Sequence, residues 1–189
     1  LKKVFIFFAA GNIINRICPR SGDGKNKAAE RLKYMETAVR TDEQLQEILR
    51  SVKRVHFVGI GGSGMSPLAE ILHSRGYHIT GSDVNPSDNV DRMTRLGIPV
   101  VMHQTAENVG DAELVVYTSA VNPQNPELVQ ARQSGIPTIE RGKLLGLISR
   151  HYKNAVGVAG THGKTTTTSM VAQILLQAGK DPTVFIGGR

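Results

Sequence analysis

Residues 55–64 read VHFVGIGGSG, an apolar run that ends in the pattern G-x-G-x-x-G. Because Gly59 and Gly61 lack a Cβ, the backbone there can turn tightly and approach a pyrophosphate, whose charge the N-terminus of a following helix favours. Asp83 ends the next predicted strand, 19 residues after Gly64, where a carboxylate can accept hydrogen bonds from a ribose. The stretch predicts a strand, a phosphate-binding loop and a helix, and both a dinucleotide and a uridine diphosphate fit it.

A second glycine loop, GTHGKTT, occupies residues 160–166 between a predicted strand and a predicted helix. In this variant of the P-loop, successive amides and Lys164 surround nucleotide phosphates, and a threonine hydroxyl is placed for magnesium. The loop departs from G-x-x-x-x-G-K-[ST] because Val158 stands five positions before Gly163. Four consecutive threonines begin the helix, although β-branched residues are weakly unfavourable there. Hydroxyl chemistry therefore explains them better than helix stability.

Short apolar strands alternate with helices through most of the chain. Strands are predicted at 55–58, 77–80, 98–102, 113–117, 136–139, 154–158 and 183–186. A lead-in helix begins at Thr41, and further helices are predicted at 66–74, 90–96, 126–133, 143–149 and 164–177. This alternation predicts an α/β protein with a parallel sheet covered on both faces. Residues 154–186 carry too few strands to complete a sheet, so we expect exposed apolar surface there.

Charge and composition exclude several classes of protein. The net charge of the 189 residues is +7, but residues 1–34 hold eight basic and two acidic residues and so account for +6 of it. No basic stripe interleaved with aromatic residues follows residue 35, which argues against a nucleic-acid-binding module. Cys18 is the single cysteine, so an internal disulfide is excluded and a reducing compartment is expected. No run reaches the roughly 18 apolar residues of a membrane span.

The basic segment at residues 1–40 is predicted to be a disordered leader. Its polar, glycine- and lysine-rich stretch has no hydrophobic periodicity. Two interpretations of its origin stay open. Residues 1–11 resemble a short secretory signal, with two lysines, an apolar run and small residues. The favoured alternative is that the chain begins upstream of its natural start, since residue 1 is Leu and Met35 stands just before organised sequence.

Four motifs together resemble the Mur ligases of bacterial peptidoglycan synthesis, and among them the alanine-adding members. They are residues 55–66 (VHFVGIGGSGMS), 81–83 (GSD), 118–120 (TSA) and 160–168 (GTHGKTTTT), and the resemblance runs from about Val52 to Arg189. The motif G-T-x-G-K-T occurs throughout that superfamily, whereas the glycine loop with Met65 and the histidine at 162 narrow the match.

The resemblance implies a Rossmann-like UDP-substrate domain at 41–150, followed at 151–189 by the start of a P-loop ATPase domain. It implies a cytoplasmic ligase that transfers the γ-phosphate of ATP to the lactoyl carboxylate of UDP-N-acetylmuramate and lets L-alanine attack the acyl phosphate. ATP and magnesium would be required, without nucleic acid or stable membrane insertion. Because the family's downstream magnesium ligands and C-terminal domain have no counterpart here, we expect this chain alone not to complete the ligation.

The resemblance also assigns residues. The UDP substrate would contact Gly59, Gly61, Gly62, Ser63, Gly64, Met65, Ser82, Asp83, His103, Thr118, Ser119 and Ala120. Of these, the amides of 61–65 would face the diphosphate, and Ser82, Asp83 and His103 would face the uridine. ATP would contact Gly160, Thr161, His162, Gly163, Lys164, Thr165 and Thr166. Lys164 would bind the β- and γ-phosphates and Thr165 the magnesium ion, and these two are the predicted catalytic residues.

Two other functions remain possible interpretations of the sequence, and one position departs from the family's usual pattern. A ligase that attaches a recycled tripeptide to UDP-N-acetylmuramate has a similar P-loop. An NAD-dependent Rossmann oxidoreductase would explain the first glycine loop but leaves residues 163–165 unused. The family usually reads Arg-Ala-Glu after the strand at 136–139, whereas this chain reads Arg-Gly-Lys at 141–143, so the acid has no equivalent here.

Overall fold

The computed structural model describes residues 4–9 and 42–186, which form two parallel sheets with helices around them. The strands are β1 (Val4–Ala9), β2 (Arg54–Val58), β3 (His78–Ser82), β4 (Val100–Val101), β5 (Leu114–Tyr117), β6 (Thr138–Glu140), β7 (Asn154–Ala159) and β8 (Pro182–Phe185). The helices of these residues are α1 (Asp42–Ser51), α2 (Ser66–Ser74), α3 (Asp88–Arg95), α4 (Pro126–Gln133), α5 (Arg141–Arg150) and α6 (Lys164–Gln177), with a 3-10 turn at Ala106–Val109. The predicted α/β class is confirmed.

The first sheet has five parallel strands in the order β4-β3-β2-β5-β6. The chain therefore reverses direction of winding at β2, which pairs with both β3 and β5. In such open sheets, ligands bind beyond the carboxyl ends of the strands at the point of reversal. The glycine loop at 59–64 follows β2 directly, so the fold places it at that position.

Three helices begin and end at the residues predicted from the local sequence. α2, α4 and α6 span the predicted residues. Asn125 caps α4 by accepting hydrogen bonds from the amides of Glu127 and Leu128, with Pro126 at the first helical position. β4 is shorter than predicted, two residues rather than five, because it lies at the sheet edge and pairs only over Gly81–Ser82.

One hydrophobic core joins both sheets. It contains Phe57 and Leu68 of the first unit together with Phe5 and Phe185 of the second sheet. Phe5 also stacks on Tyr152, with 4.7 Å between the ring centroids. The Arg75 guanidinium makes a cation–π contact with the Tyr152 ring, 5.4 Å from its centroid. A second cluster, including Val58, Val115 and Leu128, packs beneath α4.

The structure differs from the sequence prediction in the leader, because Val4–Ala9 is a strand rather than disordered chain. β1 lies between β7 and β8 and pairs in parallel with Asn154–Ala159 on one side and Pro182–Phe185 on the other. Its residues Phe5 and Ile6 are fully buried. Disorder was predicted from composition, which does not show that six apolar residues can pair with strands about 150 positions away. The predicted disorder of the other leader residues falls outside the described residues.

The expectation of exposed apolar surface over 154–186 is confirmed. Met170 and Ile174, one turn apart on α6, are 62% and 63% exposed, and Leu176 and Val156 are also exposed. No helix within the described residues is long and apolar enough to cross a membrane.

Candidate functional site

The glycine loop after β2 is fixed to the end of β3. The amides of Gly59 and Ile60 both donate to the carbonyl of Ser82, at 2.8 and 2.9 Å. Gly59 has a φ of +78°, a conformation that favours glycine. A Cβ placed on Gly61 would lie 2.7 Å from Val90 Cγ2 and 2.9 Å from Asp83 Oδ2, so the loop packs too closely for any side chain there.

Asp83 holds this loop through its carboxylate. Oδ2 accepts a hydrogen bond from the Gly61 amide at 2.8 Å, and Oδ1 accepts from the amides of Val84 and Asn85 at 2.8 and 3.0 Å. Asn89 Nδ2 donates to the Gly61 carbonyl at 2.8 Å, so the Gly61 residue is held on both sides. Both oxygens of the Asp83 carboxylate thus accept hydrogen bonds from main-chain amides. The sequence predicted that this carboxylate accepts hydrogen bonds from a ribose.

The loop amides are unequal in what they can offer a phosphate. Gly62 donates to the Gly59 carbonyl and Met65 to the Gly62 carbonyl. Within the described residues, the amides of Ser63 and Gly64 donate to no main-chain carbonyl. The Met65 side chain is buried in the core. Of the amides at 61–65 that were predicted to face a diphosphate, those of Ser63 and Gly64 are therefore the two that we expect to donate hydrogen bonds to it.

Two further segments contain residues that were predicted to bind the UDP substrate, one after β5 and one after β4. Thr118 follows β5, and its Cγ2 would lie 4.0 Å from a Cβ placed on Gly59. Its hydroxyl accepts from the Ala120 amide at 3.0 Å, which shapes the turn that leaves Ser119 and Ala120 exposed. His103, after β4, is exposed, and its carbonyl accepts from Asn108 Nδ2 at 2.7 Å.

The Ser82 side chain, which the resemblance placed at the uridine, points into the protein. It is fully buried, and its hydroxyl donates to Glu127 Oε2 at 2.7 Å. Asp83, the next residue, points to the opposite side because side chains alternate along a strand. Ser82 therefore contributes to the site through its carbonyl, which anchors Gly59 and Ile60.

The second loop joins β7 to α6. Gly163, with a φ of +74°, stands immediately before α6, whose first residue is Lys164. Lys164 Nζ donates to the carbonyls of Gly160 and Thr161 at 2.7 and 3.0 Å, so the ammonium folds over its own loop. Thr161, His162, Thr165 and Thr166 are all exposed around it. The arrangement places a cation, hydroxyls and helix-terminal amides on one open surface, as anion binding requires.

The fold and both loops can be compared with known proteins. The family model described as "Mur ligase family, catalytic domain" matches residues 54–153, which is more than half of the chain. The chain belongs to the Mur ligase family.

Individual Mur ligases match the same part of the chain. A UDP-N-acetylmuramate–L-alanine ligase from Sulfurihydrogenibium sp. is 52% identical over 138 residues, covering 73% of this chain and 30% of that protein. Its counterpart from Rhodospirillum rubrum is 53% identical over 134 residues, covering 71% of this chain and 28% of that protein. This Mur ligase chain thus spans about 30% of the length of the curated relatives it matches.

Solved Mur ligase structures show the same fold. The UDP-N-acetylmuramate-alanine ligase of Thermotoga maritima matches with a TM-score of 0.69 and 42% identity, over 71% of this chain and 32% of that one. The UDP-N-acetylmuramate:L-alanyl-gamma-D-glutamyl-meso-diaminopimelate ligase of Neisseria meningitides matches with a TM-score of 0.66 and 33% identity, over 74% of this chain and 44% of that one.

Arg141, which the sequence prediction assigned to neither site, lies against the first glycine loop. It begins α5, and a Cβ placed on Gly64 would lie 2.7 Å from Arg141 Nη1 and 3.2 Å from its Cδ. Within the described residues, no carboxylate forms an ion pair with this guanidinium. The sequence signal for this residue is the arginine that the Arg-Gly-Lys stretch at 141–143 shares with the family pattern. A cation therefore lies beside the Ser63 and Gly64 amides, which donate to no main-chain carbonyl of the described residues.

Proposed function

We propose that the chain provides the UDP-substrate site and the ATP loop of a cytoplasmic ligase that joins L-alanine to UDP-N-acetylmuramate. One observation carries the proposal: a single chain has two glycine loops with the sequence patterns of phosphate-binding loops, each between a parallel strand and a helix N-terminus. Relatives that are 52% and 53% identical, named UDP-N-acetylmuramate–L-alanine ligases, support the choice of substrates.

In the first site, the diphosphate of the substrate would accept hydrogen bonds from the amides of Ser63 and Gly64. Arg141 would add a charge-assisted contact on the same side of the loop. Thr118, Ser119 and Ala120 would lie along the nucleotide, and His103 would approach the uridine. Asp83 supports this site indirectly, because its carboxylate holds the Gly61 amide in place.

In the second site, Lys164 would release the carbonyls of Gly160 and Thr161 and bind the β- and γ-phosphates of ATP. Phosphoryl transfer depends mainly on positioning and on neutralising phosphate charge, which a lysine and helix-terminal amides supply. The lactoyl carboxylate would attack the γ-phosphorus, releasing ADP and forming an acyl phosphate. The L-alanine amine would then attack the acyl carbon and release inorganic phosphate.

Magnesium would be held at this loop by Thr165, whose hydroxyl is exposed on the first turn of α6. Within the described residues, no group of three or more His, Cys, Asp or Glu side chains could hold a metal ion. Mg²⁺ is commonly bound through water and substrate phosphates with only one or two protein oxygens, and the Thr165 hydroxyl would be such an oxygen. The ion would neutralise charge on the β- and γ-phosphates.

The oxidoreductase alternative is less well supported than a uridine nucleotide site. An oxidoreductase of that kind would leave the second loop, with Lys164 at the start of α6, without a role. The amino acid substrate is supported by identity alone: 42% to the alanine-adding structure against 33% to the tripeptide-adding one.

Calorimetric titration of the purified chain with UDP-N-acetylmuramate, UDP and NADH tests the proposal. UDP should bind and compete with UDP-N-acetylmuramate, and NADH should not compete. Competition by NADH together with no UDP binding would contradict it. Incubation with ATP, L-alanine and UDP-N-acetylmuramate tests a separate expectation, that these 189 residues alone form no UDP-N-acetylmuramoyl-L-alanine above background.

A further inference from the structure

A fully buried carboxylate lies beneath the candidate uridine site. Glu127, in the first turn of α4, accepts a hydrogen bond from Ser82 Oγ at its Oε2, at 2.7 Å. Its Oε1 accepts from Asn108 Nδ2 at 2.8 Å and lies 3.3 Å from His56 Nε2. His56 is itself buried, and its Nδ1 lies 2.8 Å from Thr80 Oγ1.

This carboxylate connects two segments that contact opposite parts of the proposed nucleotide. Through Ser82 it holds the end of β3, whose carbonyl anchors the amides of Gly59 and Ile60 in the diphosphate loop. Through Asn108 it holds the His103 segment, because the same Nδ2 group also donates to the His103 carbonyl at 2.7 Å. One side chain therefore sets the spacing between the diphosphate loop and His103.

A second contact from α4 supports the same segment. Asn125, two residues before Glu127, donates from Nδ2 to Gln104 Oε1 at 2.7 Å while its Oδ1 caps the helix. The start of α4 thus fixes residue 104, just before the 3-10 turn, and residue 108, within it. Helix N-termini favour negative charge, so α4 lowers the cost of burying the Glu127 carboxylate.

Packing alone does not explain a carboxylate at this position. Burying an ionised group is costly unless every acceptor is satisfied, and well-packed apolar residues often replace buried charges without loss of stability. Of the three groups that contact the Glu127 carboxylate, Ser82 and Asn108 belong to the two nucleotide-facing segments, and the third is the buried His56.

We propose that Glu127 is a positioning residue for base recognition: it holds the His103 segment at a fixed distance from the diphosphate loop, so that an imidazole N–H of His103 can donate to O4 of a uracil base, where cytosine carries an amino group that only donates. The inference rests on the proposed function. Glu127 touches no substrate and acts through Ser82 and Asn108.

Two variants and one control test it, by titration of the whole 189-residue chain with UDP, CDP and ATP. Glu127→Gln keeps the shape of the side chain but replaces one acceptor oxygen with an NH2 group, so the hydrogen bond from Ser82 must reverse its direction or the one from Asn108 is lost. Asn108→Ala cuts the link to the His103 carbonyl without changing the buried carboxylate. Glu47→Gln makes the same chemical change at an exposed position on α1.

Both variants should weaken UDP binding by about tenfold, the size expected for one hydrogen bond to a charged acceptor, and should reduce the preference for UDP over CDP. ATP affinity should not change, and Glu47→Gln should match the wild type throughout. A general loss of structure would instead weaken ATP and both pyrimidine nucleotides together.

An unchanged ratio of UDP to CDP affinity in both variants would overturn the inference while leaving the proposed function intact. If Glu127→Gln does not fold, the same ratio in Asn108→Ala decides. If the wild-type chain binds no UDP, the proposed function fails first and the inference fails with it.

Discussion

Arg141 lies directly against Gly64, so that a Cβ added to Gly64 would come within 2.7 Å of Arg141 Nη1. The two residues follow different strands of the first sheet, since Gly64 follows the central strand β2 and Arg141 follows the edge strand β6. Their contact places a guanidinium beside the loop whose Ser63 and Gly64 amides donate to no main-chain carbonyl of the described residues. A diphosphate bound there would meet both.

Replacing this arginine should weaken UDP binding. Arg141→Gln removes a charge-assisted contact, which is typically worth about 1.5–3 kcal/mol, so the Kd for UDP should rise by roughly ten- to a hundredfold. The variant should also bind UDP with a weaker dependence on salt concentration. Arg95→Gln, at the exposed end of α3, is the matched control. An unchanged Kd in Arg141→Gln would remove the arginine from the site.

Replacing the P-loop lysine should affect the other nucleotide alone. Lys164→Met removes the ammonium that now contacts the Gly160 and Thr161 carbonyls, and with it the main positive charge for the β- and γ-phosphates. ATP affinity should fall by at least about tenfold on the same scale of charged hydrogen bonds, and UDP affinity should stay the same. Lys180→Met, just beyond α6, serves as the control. Equal losses for ATP and UDP would show that the two loops are not separate sites.

The strand β1 should be needed for the P-loop. Phe5 is fully buried between β7 and β8, and β7 leads directly into the loop at residue 160. Phe5→Ala should destabilise this sheet by about 3–5 kcal/mol, as expected for removing a buried phenylalanine side chain. Limited proteolysis should then cut within 154–186 sooner, and ATP affinity should fall more than UDP affinity. Val84→Ala, an exposed site, is the control. Unchanged protection of 154–186 would argue against β1 in this sheet.

Stability at low pH should depend on Glu113. Hydrogen bonds from the amides of Lys53 and Arg54 lower the pKa of Glu113 below its ordinary value of 4.5, and the charge of Arg54 adds to the effect. Because the folded-state pKa is the lower one, the stabilisation is present above pH 4.5 and is lost as the pH falls through the folded-state value.

Glu113→Gln should therefore lower the free energy of unfolding at pH 7, and the difference from wild type should shrink as the pH falls below about 4.5. Urea unfolding at several pH values measures this, with Glu47→Gln as a control that shows no such trend. A difference that stays constant across the pH range would contradict the role given to the Lys53 and Arg54 amides.

The sequence predicted features that local physics decides. The G-x-G-x-x-G loop and the helices at 66–74 and 126–133 are each set by residues within a few positions, and the structure shows both helices at the predicted residues. Tertiary partners decided the rest. The resemblance placed Ser82 at the uridine, yet its hydroxyl contacts Glu127, 45 positions later. The motif at residues 81–83 does not show to which face of the sheet each of its side chains points.

Two further differences have the same physical origin. Arg141 reaches Gly64 only because β6 and β2 belong to one sheet, with β5 between them. Val4–Ala9 forms a strand because β7 and β8 leave a position between them for an apolar partner. Pattern and composition within a short window contain neither fact.

The central claim is that one chain holds two independent nucleotide sites, one for a uridine diphosphate and one for ATP. Calorimetric titration with UDP in the absence and in the presence of saturating ATP tests it most directly. We expect about one UDP bound per chain in both titrations, with ATP bound at a separate, additional site. Displacement of UDP by ATP, or binding of only one of the two nucleotides, would contradict it.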